Sequence, residues 1–306
     1  MNDSQAIVVD HVSSGYGDHI VVKDIDITAE AGTFTTLLGP NGCGKSTLIK
    51  SITRLLTPVA GTVTYGATSL QDVSPKKLAQ TVAMLPQHPF APDGLSVVEL
   101  VSRGRHPWRS PLRGLSATDR RIIAEAMEET EVSGLAERSI ETLSGGQRQR
   151  VWMAMVLAQD TPVLLLDEPT TYLDPARAME ILSIVKRQAQ AGKVVISVLH
   201  DLHLAGHFSD RVVLLKEGHV YADGSPADVM TVDALKDVYD LRAEVWDDPA
   251  SASRSSFLAE CTGTTSNPSR ACARSNSPVL ALFTGVMAFR VCTGKRIPPS
   301  VHVLFP

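Results

Sequence analysis

The chain has 306 residues, 43% of them hydrophobic and 20% charged, which is ordinary for a folded protein and long enough for one large α/β domain or two modest ones. A formal net charge of −4 argues against a general nucleic-acid binder, which carries a basic excess or stripe.

The opening MNDSQAIVVD shows neither a basic nor an apolar leader pattern, so the chain is expected to act in the cytosol. Tyr16, in SGYGD, has two readings: an aromatic at a hairpin turn, or a ring on which an adenine stacks. TFTTLLG, residues 33–39, predicts a buried strand running at once into a glycine-rich turn and a helix that begins near Lys45. The turn GPNGCGKST, Gly39 to Thr47, fits the spacing G-x-x-x-x-G-K-[ST] in the strand–loop–helix setting this pattern requires. Gly39, Gly42 and Gly44 let backbone N–H groups turn inward around phosphate oxygens, and the helix N-terminus adds positive potential. Pro40, Asn41 and Cys43 complete the loop, with Cys43 read as a small residue whose backbone, not its thiol, faces phosphate. Lys45 is expected on the β- and γ-phosphates, the Ser46 hydroxyl on Mg2+, and Thr47 towards the α-phosphate.

Gln87 follows another apolar strand, in AMLPQ. It is either an ordinary loop residue or an amide that reaches Mg2+ or an attacking water. From Asp93 to Gln159 the pattern turns almost wholly helical. Ser96 and Glu99 form a capping box ahead of VVELV, while Ile122, Ile123, Ala126 and Met127 share one face of a helix over 116–132. A helical insert over about residues 90–160 is the economical reading. Within it LSGGQRQR, Leu143 to Arg150, places Ser144, Gly145, Gly146 and Gln147 just before the apolar run Val151 to Leu157. Such a polar stretch builds no core.

VLLLDEP, residues 163–169, ends an apolar strand in Asp167, where a carboxylate can join a Mg2+ shell. Glu168 follows, placed to polarise a water, although taken alone the pair could equally cap the next helix. Asp174 before Pro175 marks a helix start. VVISVLH ends in His200, which is either a structural imidazole or, in a phosphate site, a contact to the γ-phosphate. These continuous apolar runs suit parallel strands buried on both faces, so the alternation predicts a parallel sheet covered by helices.

Near Ser251 the composition changes. From there to Pro306 the only acidic residue is Glu260, while Ser, Thr, Cys and Pro multiply, so residues 246–306 are expected to be a disordered tail or one read in a shifted frame. Sequencing the gene across codon 251 tests the second idea. The longest apolar stretch of the chain, Pro278 to Val291, is broken by Thr284, Gly285 and Arg290 and is too short to span a bilayer. Three of the four cysteines, Cys261, Cys272 and Cys292, also lie here, without the spacing of a zinc site.

Taken in order over about residues 5–245, these motifs resemble those of the ATP-binding subunits of ABC transporters. The resemblance implies an α/β fold: a RecA-like P-loop NTPase core with an antiparallel β subdomain and an inserted helical subdomain. It makes Gly39–Thr47 the Walker A loop, Asp167 and Glu168 the end of Walker B, Tyr16 the adenine-stacking residue, Gln87 the Q-loop residue and His200 the switch histidine. LSGGQRQR resembles the signature, whose Ser and glycines contact the γ-phosphate of ATP held by the other subunit, and TYLDP resembles the D-loop, with Asp174 near the dimer interface. That would explain an exposed polar run at the head of a buried helix: its ligand arrives on a second chain. ATP and Mg2+ are the implied cofactors. The implied partners are a second copy of the subunit, two transmembrane permease subunits and, indirectly, a periplasmic or lipid-anchored substrate-binding protein, with no nucleic acid. The implied location is the cytoplasmic face of the cell (inner) membrane.

Finer cues, LVSRGRHPW, EPTTYLD and LHDLHLAGHFSDRVVLLKEGHVYADG, resemble importers of ferric siderophores, haem and cobalamin. Two positions depart from that group: Trp108 stands where a His often follows the Pro, and His203 where Asn is frequent. RGRHPW is read either as a solvated loop or as a surface near the membrane subunit's coupling helix, with the second favoured. A non-transport ABC ATPase would need a second cassette, coiled coils or zinc modules, and none is visible. A regulatory module without hydrolysis fits poorly with Glu168 and His200, and an exporter ATPase would look the same at its ATP site.

Overall fold

The computed structural model describes residues 5–110, 114–171, 173–247 and 254–261. The chain opens with a long hairpin, β1 (Ala6–Tyr16) and β2 (His19–Glu30), and then enters the central strand β3 (Phe34–Leu38). Helix α1 (Lys45–Ile52) follows directly, before the edge strands β4 (Ala60–Tyr65) and β5 (Thr68–Ser69). Helix α2 (Pro75–Thr81) leads without a break into β6 (Val82–Leu85).

After a loop, helices dominate the chain from residue 97 to residue 158. They are α3 (Val97–Ser102), a 3-10 helix over Arg103–Trp108, α4 (Ala117–Glu129), two short 3-10 turns and α5 (Gly145–Ala158). The α/β alternation then resumes with β7 (Val163–Asp167), α6 (Pro175–Gln190), β8 (Val194–Val198) and α7 (Leu202–Phe208). Strands β9 (Arg211–Lys216) and β10 (His219–Gly224), helices α8 (Pro226–Val229) and α9 (Val232–Tyr239), and the pair β11 (Leu241–Asp247) and β12 (Arg254–Cys261) complete the described chain.

Six strands form the main sheet in the order β10-β9-β3-β8-β7-β6, parallel except for β10. The hairpin joins β4 and β5 in a separate antiparallel sheet, β2-β1-β4-β5. Side-chain alternation divides the core in two. Leu164 and Leu166 of β7 pack with Phe34, Leu38, Leu85 and the helical segment, whereas Val163 and Leu165 pack with Leu37, Ile196, α1 and the hairpin. β3, β7 and β8 are wholly buried, the burial expected of parallel strands covered on both faces.

Both anticipated helix starts in the helical segment carry full capping boxes, Ser96 with Glu99 and Ser116 with Asp119. In α4 Ile123, Ala126 and Met127 are buried, while Ile122 sits at the margin of the apolar face. Two details go beyond the sequence reading. RGRHPW forms a 3-10 helix in which Gly104 and Arg105 are buried against the C-terminal end of α5, while Arg103, His106 and Trp108 remain exposed. Regular structure also continues past residue 245, because Leu241–Asp247 pairs with Arg254–Cys261, with Val245 opposite Phe257 and Ala243 opposite Ala259. Residues 262–306, where the rest of the expected tail falls, lie outside the described residues. No helix among the described residues is long and apolar enough to cross a membrane.

Candidate active site

Four parallel strands of the main sheet, β3, β6, β7 and β8, deliver Gly39, Gln87, Asp167 with Glu168, and His200 to one edge. Their common direction makes that edge the C-terminal end of the strands, where open α/β sheets bind ligands.

The loop between β3 and α1 is shaped by glycine. Gly39, Gly42 and Gly44 have φ of 144°, 81° and 110°. A Cβ on Gly39 would lie 2.3 Å from the Leu215 carbonyl oxygen, and one on Gly44 would lie 2.4 Å from Val22 Cγ1. No L side chain fits either place without displacing its neighbours. The first bond of α1 runs from the Leu48 N–H to the Gly44 carbonyl at 2.9 Å, so the N–H groups of Lys45, Ser46 and Thr47 precede the helical ladder. Lys45 is buried, and its ammonium donates to the loop's own carbonyls, Gly39 at 2.7 Å and Pro40 at 3.0 Å. Cys43 Sγ lies 3.9 Å from the same ammonium, and burial pushes the thiol above its usual pKa, leaving it a poor nucleophile. Asn41 and Gly42 are exposed, and Thr47 is buried in the first turn of the helix.

Ser46 and Asp167 meet across the sheet edge, with the hydroxyl donating to Asp167 Oδ1 at 3.1 Å. Burial raises the Asp167 pKa, and the bond from Ser46 opposes that shift. A buried carboxylate beside a hydroxyl is a hard-oxygen donor set of the kind Mg2+ takes, and it sits next to a loop whose backbone can cradle phosphate. The residues fit ATP with its metal.

Glu168 has the positive φ of 56°, which is rare for a non-glycine residue. Its Oε1 lies 2.6 Å from His200 Nε2, and its Oε2 accepts from the Thr171 hydroxyl at 3.0 Å. Burial pushes the Glu168 pKa up, but hydrogen bonds from His200 and Gln87 outweigh it and leave the carboxyl below its usual range. A charged carboxylate is therefore held by three side chains at the strand ends. Tyr16 ends β1 half-exposed, 5.8 Å from Lys50 Nζ to the ring centroid, so it is both a hairpin aromatic and an open ring face.

The remaining predicted residues stand apart. Ser144 caps α5 in a reciprocal box, accepting from the Gln147 N–H at 3.3 Å while its own N–H donates to Gln147 Oε1 at 3.1 Å. Gly145 faces open space, and Asp174 is the exposed N-cap of α6, accepting from the Arg177 N–H at 3.1 Å. Among the described residues neither group hydrogen-bonds the Gly39–Thr47 loop. Two contacts escape a reading of the motifs alone. Thr171 holds Glu168, and Gln149 Nε2 donates to the Pro169 carbonyl at 2.8 Å, tying α5 to the turn after β7. Both residues lie inside recognised motifs, but spacing gives no sign of which partner each takes.

The ABC transporter family model matches residues 22–171. Over 245 residues the chain is 48% identical to the iron(3+)-hydroxamate import ATP-binding protein FhuC of Bacillus subtilis, spanning 80% of this chain and 91% of that protein. The chain belongs to the ABC transporter ATP-binding proteins. Other members it resembles are the ferric enterobactin transport ATP-binding protein FepC of Escherichia coli, 38% identical over 78% of this chain and 89% of that one, and the hemin import ATP-binding protein HmuV of Thermobifida fusca, 40% identical over 78% and 84%. Among solved structures, cbiO1 of Clostridium perfringens, part of the ABC transporter complex cbiONQ, superposes with a TM-score of 0.67 at 28% identity, covering 76% of this chain and 93% of that one. A dimeric ABC transporter cassette aligns with a TM-score of 0.64 at 28% identity over 72% and 98%. This ABC protein therefore has the P-loop NTPase fold expected from its motifs, and it is an ATP-binding ATPase subunit coupled to transport.

Proposed function

We propose that this chain is the ATP-hydrolysing subunit that energises import of ferric siderophores. The site reading is carried by one observation: Glu168, held by His200 and Thr171, stands one residue beyond the Asp167–Ser46 pair at the head of a glycine loop. In this reading residues 1–245 form the ATP-binding domain, with the helical subdomain inserted over about 90–160.

Tyr16 stacks on adenine, and backbone N–H groups from Gly39 to Thr47 surround the phosphates. Lys45 exchanges the carbonyls of Gly39 and Pro40 for phosphate oxygens. Ser46, Asp167 and Gln87 hold Mg2+, which when bound neutralises charge on the phosphate oxygens. Glu168 orients the attacking water, and His200 fixes Glu168 and the γ-phosphate. The Ser144–Gln147 cap points its exposed N-terminus at ATP on a second copy, with Asp174 beside the join. Two copies then clamp two ATP molecules head to tail and part after hydrolysis, because γ-phosphate contacts hold the closed state.

The partners are two permease subunits, with a periplasmic or lipid-anchored binding protein acting through them, at the cytoplasmic face of the membrane. The names of FhuC and FepC favour an iron chelate as cargo, and that of HmuV supports haem as the second reading. The test is cellular uptake of labelled ferric siderophore, haem and cobalamin with the intact protein and with Lys45→Ala. Loss of uptake of one cargo names it, whereas unchanged uptake of all three leaves the ATP chemistry standing and removes the assignment to the siderophore, haem and cobalamin group.

A further inference from the structure

Gln159 caps α5 at the end opposite Ser144. Its side-chain amide donates to two carbonyls on consecutive elements, Ala79 in α2 at 2.6 Å and Val82 at the start of β6 at 3.1 Å. Its own carbonyl accepts from Trp108 Nε1 at 2.6 Å, and Arg105 Nη1 reaches the adjoining Ala158 carbonyl at 3.0 Å. Arg105 in turn pairs through Nε with Asp119 Oδ1 at 2.8 Å, with both side chains nearly wholly buried. Gln80 Nε2 donates to the Pro107 carbonyl at 2.9 Å. Gly104 approaches so closely that a Cβ there would lie 2.3 Å from the Met155 carbonyl oxygen.

The Arg105 and Trp108 donors satisfy carbonyls that any helix leaves unpaired at its C-terminus. The Gln159 side chain does something else: it fastens α5 to the junction of α2 and β6. Two arms leave this knot, and each ends at a residue of the proposed site. One is α5, whose 14 residues span about 21 Å to the Ser144 cap. The other is β6 and the two residues after it, which reach Gln87 over about 17 Å.

We infer that Gln159 is a positioning residue for the composite ATP site: its amide pins the foot of α5 to the foot of β6, so that the Ser144 cap and Gln87 keep a fixed spacing as the two halves of the site close. This rests on the site reading proposed above. Leverage decides how loss of the pin shows itself. A tilt of about 5° at the foot moves Ser144 by about 2 Å at the length of this helix, and a misplacement of about 1 Å can cost on the order of 10²-fold in rate. The Gly39–Thr47 loop is carried by β3 and α1, to which the knot makes no hydrogen bond among the described residues. Hydrolysis should therefore suffer while ATP binding by the protein's own loop does not.

The test uses the full chain carrying Gln159→Met, which keeps side-chain length but has no donor, and separately Trp108→Phe, which removes only the indole N–H. Measured are affinity for a fluorescent ATP analogue in EDTA, kcat and KM for phosphate release, and the thermal midpoint. The expected result for Gln159→Met is a kcat lower by about tenfold or more, with nucleotide affinity and KM held within about twofold. Trp108→Phe leaves both amide bonds to Ala79 and Val82 in place, so its kcat should stay within about twofold of the parent. An unchanged kcat in folded Gln159→Met overturns the inference, and so does a loss of nucleotide affinity in step with kcat, which marks a merely structural role. If Gln159→Met does not fold, Gln159→Ser, whose shorter side chain cannot reach Ala79 or Val82, decides by the same readings. A Glu168→Gln protein assayed beside them separates the two claims. Hydrolysis persisting there sinks the site assignment, whereas a fully active Gln159→Met protein sinks only the inference.

Discussion

His200 Nε2 and Glu168 Oε1 stand 2.6 Å apart because they end neighbouring parallel strands in matched register, with Asp167 of β7 opposite Val198 of β8. The strand pairing brings the two groups together. Thr171 holds the second carboxylate oxygen and leaves Glu168 little rotational freedom. Replacing Glu168 with Gln preserves shape but removes the acceptor charge. Hydrolysis should fall by about 10²–10⁴-fold with ATP binding retained. On a sizing column the variant should shift from monomer to dimer with ATP and not with ADP. A monomer under both conditions counts against the clamp.

The Ser46–Asp167 pair makes a different prediction. If these oxygens hold Mg2+, Asp167→Asn should lower affinity for ATP measured with Mg2+ by on the order of tenfold, a loss of about 1.4 kcal/mol. Affinity measured in EDTA should change much less, since the loop that cradles phosphate is untouched. Titrating the labelled nucleotide with and without the metal separates the two, and an equal loss in both would deny Asp167 the role.

Much of this site was legible because its determinants are local. Gly39, Gly42 and Gly44 announce a backbone that other residues cannot follow, and continuous apolar runs ending in Asp167 and His200 mark buried strands with a polar tip. The contacts of Thr171, Gln149 and Gln159 were hidden for the opposite reason. Gln159 bonds Ala79, which is 80 positions away, and no spacing rule reaches that far. RGRHPW was legible in part: Arg103, His106 and Trp108 are exposed, as their types suggest, whereas the Arg105 guanidinium is buried against the carboxylate of Asp119 and the carbonyls of α5. The β11–β12 pair was obscured by composition: the residues around FLAEC are those of a tail, and pairing with Leu241–Asp247 is a tertiary fact.

Gly44 supplies a stability test that needs no activity assay. Its φ of 110° and the 2.4 Å approach that a Cβ would make to Val22 Cγ1 forbid alanine without movement of the loop or the hairpin. Gly44→Ala should destabilise the fold by about 1–3 kcal/mol and weaken ATP binding together. Gly134, which faces open space without a positive φ, is the matched control. Gly134→Ala should leave both the thermal midpoint and ATP affinity unchanged.

Asp119 gives the chain an acid-sensitive joint. Bonds from Ser116 and from Arg105 pull its carboxyl down from 3.8 to about 2. The folded protein therefore prefers the ionised form more strongly than the unfolded chain does. The stabilisation is complete above the unfolded pKa and is lost as pH falls from about 4 through about 2. Protonation would also leave Arg105 charged and buried without its carboxylate, a situation that is strongly destabilising. Thermal melts of the parent and of Asp119→Asn across this range should converge at the acid end, with the variant lower at neutral pH. A gap between them that stays constant with pH would mean that the carboxylate's charge contributes nothing to the joint.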